Sequence, residues 1–185
     1  SGNDGLNGGT GDDVLNGGAG VDTLTLSLAP VAQTVDLSAG TASGSVTLSN
    51  IENVIGSAFN DTIVGSSAAI FEQFEGNGGN DTIDGGAITD LVNFDNSNRA
   101  NYTGASAGVV VNLGLNGAAG TAVTTNATLA GNSGSDTLLN INQVRGSAHA
   151  DTLRGSDTTL WTEMFEGRGG NDLIDGRGGF DIVRF

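Results

Sequence analysis

The 185-residue sequence has no cysteine, no lysine, a single proline and only 5% aromatic residues. Without cysteine, neither a disulfide framework nor a thiolate metal site can hold a loop-rich structure together. Few aromatic residues beside 32 glycines are also unlike a compact helical protein. A structure built from this chain therefore needs another kind of cross-link.

Positive charge is scarce as well, because six arginines face 21 acidic residues and the net charge is −15. Nucleic-acid phosphates require cationic partners, so nucleic acid is excluded as a ligand, and an anionic membrane surface is disfavoured for the same reason. No apolar run approaches the ~20 residues that span a bilayer, so we expect no membrane insertion. Hydrophobic residues nevertheless make up 37% of the chain, which favours an ordered fold once the carboxylates are neutralised.

A nine-residue repeat organises the chain. Residues 8–16 and 17–25 are consecutive copies of G-G-x-G-x-D-x-U-x, in which U is a large apolar residue. The frame recurs at the following positions: Gly56, Gly76, Gly85, Gly131, Gly146, Gly167 and Gly176. Residues 1–7 have the pattern of the end of an earlier copy, so we expect the repeat to begin before Ser1. Three of these copies recur 90 or 91 residues later, which indicates a duplicated long module.

Each module also contains one irregular repeat, GSSAAIFEQFE from Gly65 and GSDTTLWTEMFE from Gly155. We align these repeats by placing Phe74 and Phe165 at the apolar position. This alignment predicts that Glu72 and Glu163 take the place of the aspartate.

The repeats divide the chain into five predicted segments. They are a first repeat block at 1–27, a strand-rich spacer at 28–55, a second block at 56–93, a longer strand-rich spacer at 94–145 and a third block at 146–185. In the longer spacer, Asn116-Gly117 between alternating apolar runs predicts a hairpin that joins 109–115 to the strand starting at Thr121. We therefore expect the spacers to continue or decorate the repeat structure rather than to act as flexible linkers.

The spacing predicts a stacked, metal-dependent structure. Nine residues divide into a six-residue turn and a three-residue strand whose central side chain faces inward. Two units close one coil, so unit n lies over unit n+2 at about 4.8 Å. The stacked aspartates would repel one another unless a cation lies between them. Carboxylates with turn carbonyls form an oxygen site that suits calcium better than magnesium, so the sequence predicts an all-β, parallel β-roll or β-solenoid whose folding depends on Ca²⁺.

The tandem G-G-x-G-x-D-x-U-x copies resemble the RTX (repeats-in-toxin) family, and the spacers are similar to those between repeat blocks of very large RTX adhesins. The resemblance implies a parallel β-roll, several calcium ions in the turns, type I secretion and folding outside the cell. It places the protein outside the cell, either secreted or attached to the bacterial surface.

The resemblance also implies the calcium ligands, which are the residues at the sixth position of each copy. They are Asp4, Asp13, Asp22, Asp61, Glu72, Asp81, Asp90, Asp136, Asp151, Glu163, Asp172 and Asp181. Stacking of n on n+2 predicts the pairs Asp4 with Asp22, Asp61 with Asp81, Glu72 with Asp90, Asp151 with Asp172, and Glu163 with Asp181. Asp136 has no acidic counterpart in the first module, where Val46 occupies the equivalent place.

These observations predict a structural role without catalysis, because the repeat accounts for nearly every aspartate as a metal ligand. We expect a calcium-binding segment that folds on binding calcium and serves as an extender or scaffold, with adjoining modules of the same polypeptide as partners. One alternative is the secretion-and-folding appendage of an RTX exoenzyme, which requires a catalytic domain upstream. Another is a calcium-dependent binder of surface glycans or ice, which requires an open coordination position or a flat threonine face.

Overall fold

The computed structural model describes residues 1–68, 70–88, 97–114, 118–124 and 134–185, and within these ranges it contains strands and no helix. Accordingly, those residues include no helix that is long and apolar enough to cross a bilayer. The strands are β1 (Gly5–Leu6), β2 (Val14–Asn16), β3 (Thr23–Thr25), β4 (Thr34–Asp36), β5 (Thr41–Ala42), β6 (Val46–Ser49), β7 (Asn53–Ile55), β8 (Thr62–Val64), β9 (Glu72–Glu75), β10 (Thr82–Asp84), β11 (Asn98–Asn101), β12 (Val109–Asn112), β13 (Gly120–Thr124), β14 (Ser135–Leu139), β15 (Gln143–Arg145), β16 (Thr152–Arg154), β17 (Glu163–Glu166), β18 (Leu173–Asp175) and β19 (Asp181–Arg184).

The strands form two open sheets, and within the repeat blocks the chain alternates between them. The first sheet has the order β1-β3-β7-β9-β11-β15-β17-β19, and the second has the order β18-β16-β12-β13-β14-β10-β8-β4-β5-β6-β2. Every pair in the first sheet is parallel. The predicted all-β class and parallel solenoid are therefore confirmed.

The core is the column of inward apolar residues between the two sheets. Leu24, Ile63 and Leu153 are fully buried, and their strand neighbours on either side are more exposed. Phe74 and Phe165 are also 0% exposed, which confirms the alignment of the irregular repeats. Towards the terminal strands the column opens, so Leu6, Leu15 and Ile174 are only partly buried and Val183 is exposed.

The described residues of each spacer add three strands to the second sheet. In the first spacer, β5 is antiparallel to β4 and β6, and in the second, β13 is antiparallel to β12 and β14. The outer strands of each triplet pair in parallel with the repeat blocks. The predicted antiparallel pairing of 109–115 with the strand at Thr121 is confirmed, whereas Asn116-Gly117 lies outside the described residues. Inward and outward side chains alternate in the same way whichever direction a strand runs. The sequence therefore did not reveal that the triplets lie in reverse order, as β6-β5-β4 between β2 and β8 and as β14-β13-β12 between β10 and β16.

One predicted pairing is wrong. The neighbour of Glu72 on one side is Asn98, not Asp90, because β9 pairs with β11 in the register Asn98 to Glu72. The other edge of β9 is filled by β7. Both edges are therefore occupied, and Ala100 rather than Val92 packs beside Phe74. Asp90 and Val92 themselves lie outside the described residues.

Candidate metal-binding turns

The sixth-position residues lie where each turn enters its strand, and the strand register stacks them in two columns. Extending the register by one residue where needed, the first column, on the first sheet, contains Asp4, Asp22, Glu52, Glu72, Asn98, Asn142, Glu163 and Asp181. The second column, on the second sheet, contains the stacks Asp61-Asp81-Asp136 and Asp151-Asp172, with Asp13 beside Val46. The antiparallel strands β5 and β13 interrupt the second column.

The remaining four of the five predicted stacking pairs are register neighbours. They are Asp4 with Asp22, Asp61 with Asp81, Asp151 with Asp172, and Glu163 with Asp181. Asp136 stacks on Asp81, and Val46 lies beside Asp13. The sequence predicted that Asp136 and Val46 occupy equivalent places, but it predicted neither of these neighbours.

Successive members of a column are joined by hydrogen bonds from backbone to carboxylate. The backbone N–H of Asp4 donates to Asp22 Oδ1 at 2.7 Å, and that of Asp61 donates to Asp81 Oδ1 at 2.8 Å. Asp81 in turn donates its backbone N–H to Asp136 Oδ1 at 3.1 Å. One carboxylate oxygen therefore links neighbouring turns, which leaves the other oxygen to face the residue's own turn.

That second oxygen lies against the first glycine of the turn. A Cβ on Gly76 would collide with Asp81 Oδ2, and a Cβ on Gly8 would lie 2.7 Å from Asp13 Oδ2. The same relationship holds for Gly17, Gly56, Gly146, Gly167 and Gly176. The first position of the repeat therefore requires glycine because the carboxylate occupies the space of a side chain.

Several of these oxygens have no hydrogen-bond partner among the described residues. They include Oδ2 of Asp13, Asp22 and Asp81, whereas in Asp181 the oxygen without a partner is Oδ1 and Oδ2 faces Gly176. Asp22 is 0% exposed and Asp81 is 1% exposed. A buried carboxylate oxygen without a partner is costly, so these positions favour a bound cation.

The electrostatics of the second column lead to the same conclusion. The pKa of Asp81 is raised to about 8, chiefly by burial and in smaller part by the neighbouring charges of Asp136 and Asp61. Burial also raises the pKa of Asp136 to about 7, although this group accepts hydrogen bonds from the Asp81 backbone and, at 3.2 Å, from the Tyr102 hydroxyl. Adjacent buried carboxylates are therefore hard to ionise together without a positive charge between them.

The donor set fits calcium. Within the described ranges, no three acidic, histidine or cysteine side chains are arranged to hold a metal ion by themselves. The side chains of the two columns offer carboxylate and amide oxygens, so a cation bound there with carbonyls of the turns would have an oxygen-only shell without thiolate or imidazole. Calcium accepts six to eight such oxygens in flexible geometry, whereas zinc favours sulfur and nitrogen ligands.

Comparison with known protein families identifies the repeat. The sequence model of the RTX calcium-binding nonapeptide repeat matches four stretches, at residues 1–27, 48–69, 72–95 and 165–183, which together are about half of the chain. The chain belongs to the RTX family. Its repeats bind several calcium ions, so calcium is the cofactor of this chain. No curated protein matches the sequence as a whole.

The RTX match and the geometry differ in extent. The turns that begin at Gly146 and Gly155 lie outside the matched stretches, yet they have the same register and the same contact between glycine and carboxylate as those at Gly56 and Gly65. Of the twelve sequence-predicted ligands, only Asp90 lies outside the described residues, and the others stand in the two columns. Their individual roles as calcium ligands stay predictions.

The sequence missed three members of the first column: Glu52, Asn98 and Asn142. Asp22 donates its backbone N–H to Glu52 Oε2 at 2.8 Å, and Asn98 donates to Asn142 Oδ1 at 2.8 Å. Each stands two residues before an inward apolar residue, as Asp22 does before Leu24. That spacing was a usable signal, but the glycine-rich turn does not directly precede these three residues.

Proposed function

We propose that this RTX segment is a calcium-triggered folding unit that serves as a structural extender of a large secreted or cell-surface protein. The observation that carries the proposal is the stacking of buried carboxylates whose free oxygens face the turns, as in Asp22 and Asp81. Without a cation these groups oppose the folded state. With calcium bound between turns, the same groups hold successive coils together.

The energetic balance supports coupling of folding to calcium. Two carboxylates about 4.8 Å apart repel by about 0.9 kcal/mol in water and by several times more in a drier site. Such pairs recur along both columns in a chain of net charge −15. The inward core is only one residue wide per strand, so its burial energy is partly cancelled by backbone entropy. Calcium binding therefore supplies free energy for folding.

The affinity of such sites supports folding outside the cell. Extracellular calcium modules bind at about 0.1 to 1 mM, far above cytosolic calcium concentrations. The chain would remain unfolded during synthesis and type I export, and it would fold on reaching millimolar calcium. This calcium dependence supports an extracellular or surface-attached location.

The sheet edges support the role of extender. The eight strands of the first sheet extend it by about 34 Å at the ordinary strand spacing. The edge strands present exposed apolar residues, with Val14 79% and Leu173 56% exposed. Unpaired edges with apolar neighbours favour continued stacking, so adjoining modules of the same polypeptide are the proposed partners.

The test is a calcium titration of the purified chain followed by far-UV circular dichroism. We expect a cooperative gain of β signal near millimolar calcium and no such gain with magnesium. Asp81→Asn removes a buried charge together with a ligand, so it should raise the β signal without calcium and reduce the gain on adding calcium, whereas Asp12→Asn, at an exposed turn residue outside the columns, should leave both unchanged. A β spectrum that persists in excess chelator would overturn the proposed trigger.

A further inference from the structure

The residue at the second position of each repeat divides the turns into two classes. In one class this residue has a left-handed backbone, with φ of 67° at Asn77, 74° at Arg168 and 62° at Arg177. We call these the open turns, and Gly9 and Gly18 take the same conformation in the turns that begin at Gly8 and Gly17. In the other class, the serine turns, the second residue is Ser57, Ser66, Ser147 or Ser156, and none of these serines has a positive φ.

In the serine turns, the serine donates to the sixth-position carboxylate. Ser57 donates its backbone N–H to Asp61 Oδ2 at 2.5 Å and its hydroxyl to Asp61 Oδ1 at 2.7 Å. Asp61 Oδ1 also accepts the backbone N–H of Gln33 at 2.7 Å. Three donors therefore converge on a side chain that is only 2% exposed.

The duplicated module repeats this arrangement. Ser147 donates its backbone N–H to Asp151 Oδ2 and its hydroxyl to Asp151 Oδ1, both at 2.7 Å. The backbone N–H of Val109 supplies the third hydrogen bond at 2.8 Å. In both modules, the aspartate of this turn therefore accepts the same three hydrogen bonds.

The irregular repeats use glutamate in the same manner. Ser156 donates its backbone N–H to Glu163 Oε2 at 2.8 Å and its hydroxyl to Glu163 Oε1 at 2.6 Å. The backbone N–H of Ser66 reaches both oxygens of Glu72, at 3.1 and 3.0 Å. Burial raises the pKa of both glutamates, and the serine hydrogen bonds counteract that shift.

The open turns lack these donors. Each buried carboxylate oxygen of the columns that has no partner belongs to an open turn, namely those of Asp13, Asp22, Asp81 and Asp181 among the described residues. Asp22 and Asp81 are nearly fully buried, so solvent does not compensate them. The backbone at the fourth position differs as well, since Gly79 and Gly170 have left-handed φ values of 119° and 110°, whereas the serine turns place Phe59 and His149 there.

We propose that serine replaces calcium in the serine turns, so that calcium loads only the open turns. This inference rests on the proposed function and refines it. A carboxylate has about four lone-pair sites, and the charge-assisted bonds at Asp61 and Asp151 occupy three of them. A cation in a serine turn would displace these donors and meet the positive ends of their dipoles. In the open turns, the oxygen of Asp22 or Asp81 that has no partner is available to bind the cation.

The two classes of turn therefore have different roles within each module. The serine turns at Gly56 and Gly65, and their duplicates at Gly146 and Gly155, fix the strand register without metal. The open turns make the closure of the module depend on calcium.

The test is the number of calcium ions bound per full-length chain, measured by isothermal titration calorimetry. We expect Asp81→Asn to lower that number by at least one, and Asp61→Asn to leave it unchanged while lowering the melting temperature in saturating calcium. Equal losses of bound calcium in both variants would overturn the inference and leave the proposed function intact. A wild-type chain that binds no calcium would overturn both.

A gain-of-site variant tests the inference even where Asp61→Asn fails to fold. Ser57→Gly with Phe59→Gly converts GSAFND to GGAGND, which has glycine at all three glycine positions of the repeat. We expect the number of bound calcium ions to rise by at least one. Asn77→Gly, made in an open turn, is the matched control and should leave the number unchanged. An unaltered number in the double variant would count against the replacement of calcium by serine.

Discussion

Asp61 donates its backbone N–H to Asp81 Oδ1 across 2.8 Å, although both residues carry acidic side chains that are at most 2% exposed. Asp136 continues the stack on the other side of Asp81. The backbone thus holds three acidic side chains in a buried line, with the Tyr102 hydroxyl at one end. Such an arrangement is stable only when protons or cations reduce its charge.

Without calcium, the folded state should be favoured by lower pH. Burial raises the pKa of Asp81 from 3.8 to about 8, so the folded chain keeps a proton that the unfolded chain releases near pH 4. The folded state then binds more protons between about pH 4 and 8, and its stability falls as pH rises through this range. Far-UV circular dichroism in calcium-free buffer should therefore show more β structure at pH 5 than at pH 8.

The variant Asp81→Asn removes the titrating group and should flatten this pH dependence, while calcium at pH 8 should restore the β signal of the wild type. More β structure at pH 8 than at pH 5 in calcium-free buffer would contradict the raised pKa.

The first glycine of an open turn should not tolerate a methyl group. Gly76→Ala places a Cβ against Asp81 Oδ2 and against the Asp81 side chain, so the carboxylate must move out of its column. Overpacking of this kind costs about 1–3 kcal/mol, and we expect a lower free energy of unfolding in calcium together with weaker calcium binding. Urea denaturation at fixed calcium measures the first effect, and calorimetry measures the second.

Gly5→Ala is the control, because a Cβ at Gly5 has no neighbour within 4 Å and the backbone there is not left-handed. Equal losses of stability in both variants would show that the effect is general to glycine and not due to the carboxylate.

The repeat blocks could be predicted from sequence because their information is local. Glycine at the first position, aspartate at the sixth and an apolar residue at the eighth fix the turn, the column and the core within nine residues, as the sequence Gly76 to Asp84 illustrates. Stacking then follows from strand geometry alone. The same logic extended to the irregular repeats, since Phe74 and Phe165 must fill the inward position.

Pairings set by distant residues could not be predicted. Asn98 replaces Asp90 beside Glu72 because β11 fills the free edge of β9, and no local pattern marks that choice. The reversed order of β4, β5 and β6 likewise follows from the pairing of β4 with β8 and of β6 with β2, which no local pattern marks. The two classes of turn could not be predicted either, because they differ in hydrogen bonds to the carboxylate that the repeat pattern does not specify.

The inward phenylalanines should be essential even when calcium is saturating. Phe74 is 0% exposed and pairs in register with Val54 and Ala100. Replacement of a buried phenylalanine by alanine costs about 3–5 kcal/mol, a large part of the stability of a single small domain. We expect Phe74→Ala to lower the melting temperature in saturating calcium far more than Phe180→Ala, whose side chain is 69% exposed. Similar melting temperatures for the two variants would argue against a shared inward core.

An exchange between the acidic and neutral parts of the first column tests how calcium dependence is encoded. Asp22 and Glu52 are linked by the same backbone hydrogen bond as Asn98 and Asn142. Asp22 and Asn98 each have a buried oxygen without a partner, but only that of Asp22 carries a negative charge. Asp22→Asn should therefore reduce the calcium needed for folding of the first block while removing a ligand from it. The expected result is fewer bound ions and more β structure in calcium-free buffer.

The reverse change, Asn98→Asp, should act in the opposite direction. The variant loses the hydrogen bond of 2.9 Å that Asn98 Nδ2 donates to the Asn140 carbonyl. It also places a new buried charge next to Glu72. Burial of an unpaired charge destabilises the calcium-free chain, so the midpoint of the calcium titration should rise. If both variants shifted the midpoint in the same direction, the charge of the column would not set its calcium dependence, because aspartate and asparagine are nearly isosteric and differ mainly in charge and in hydrogen-bond donors.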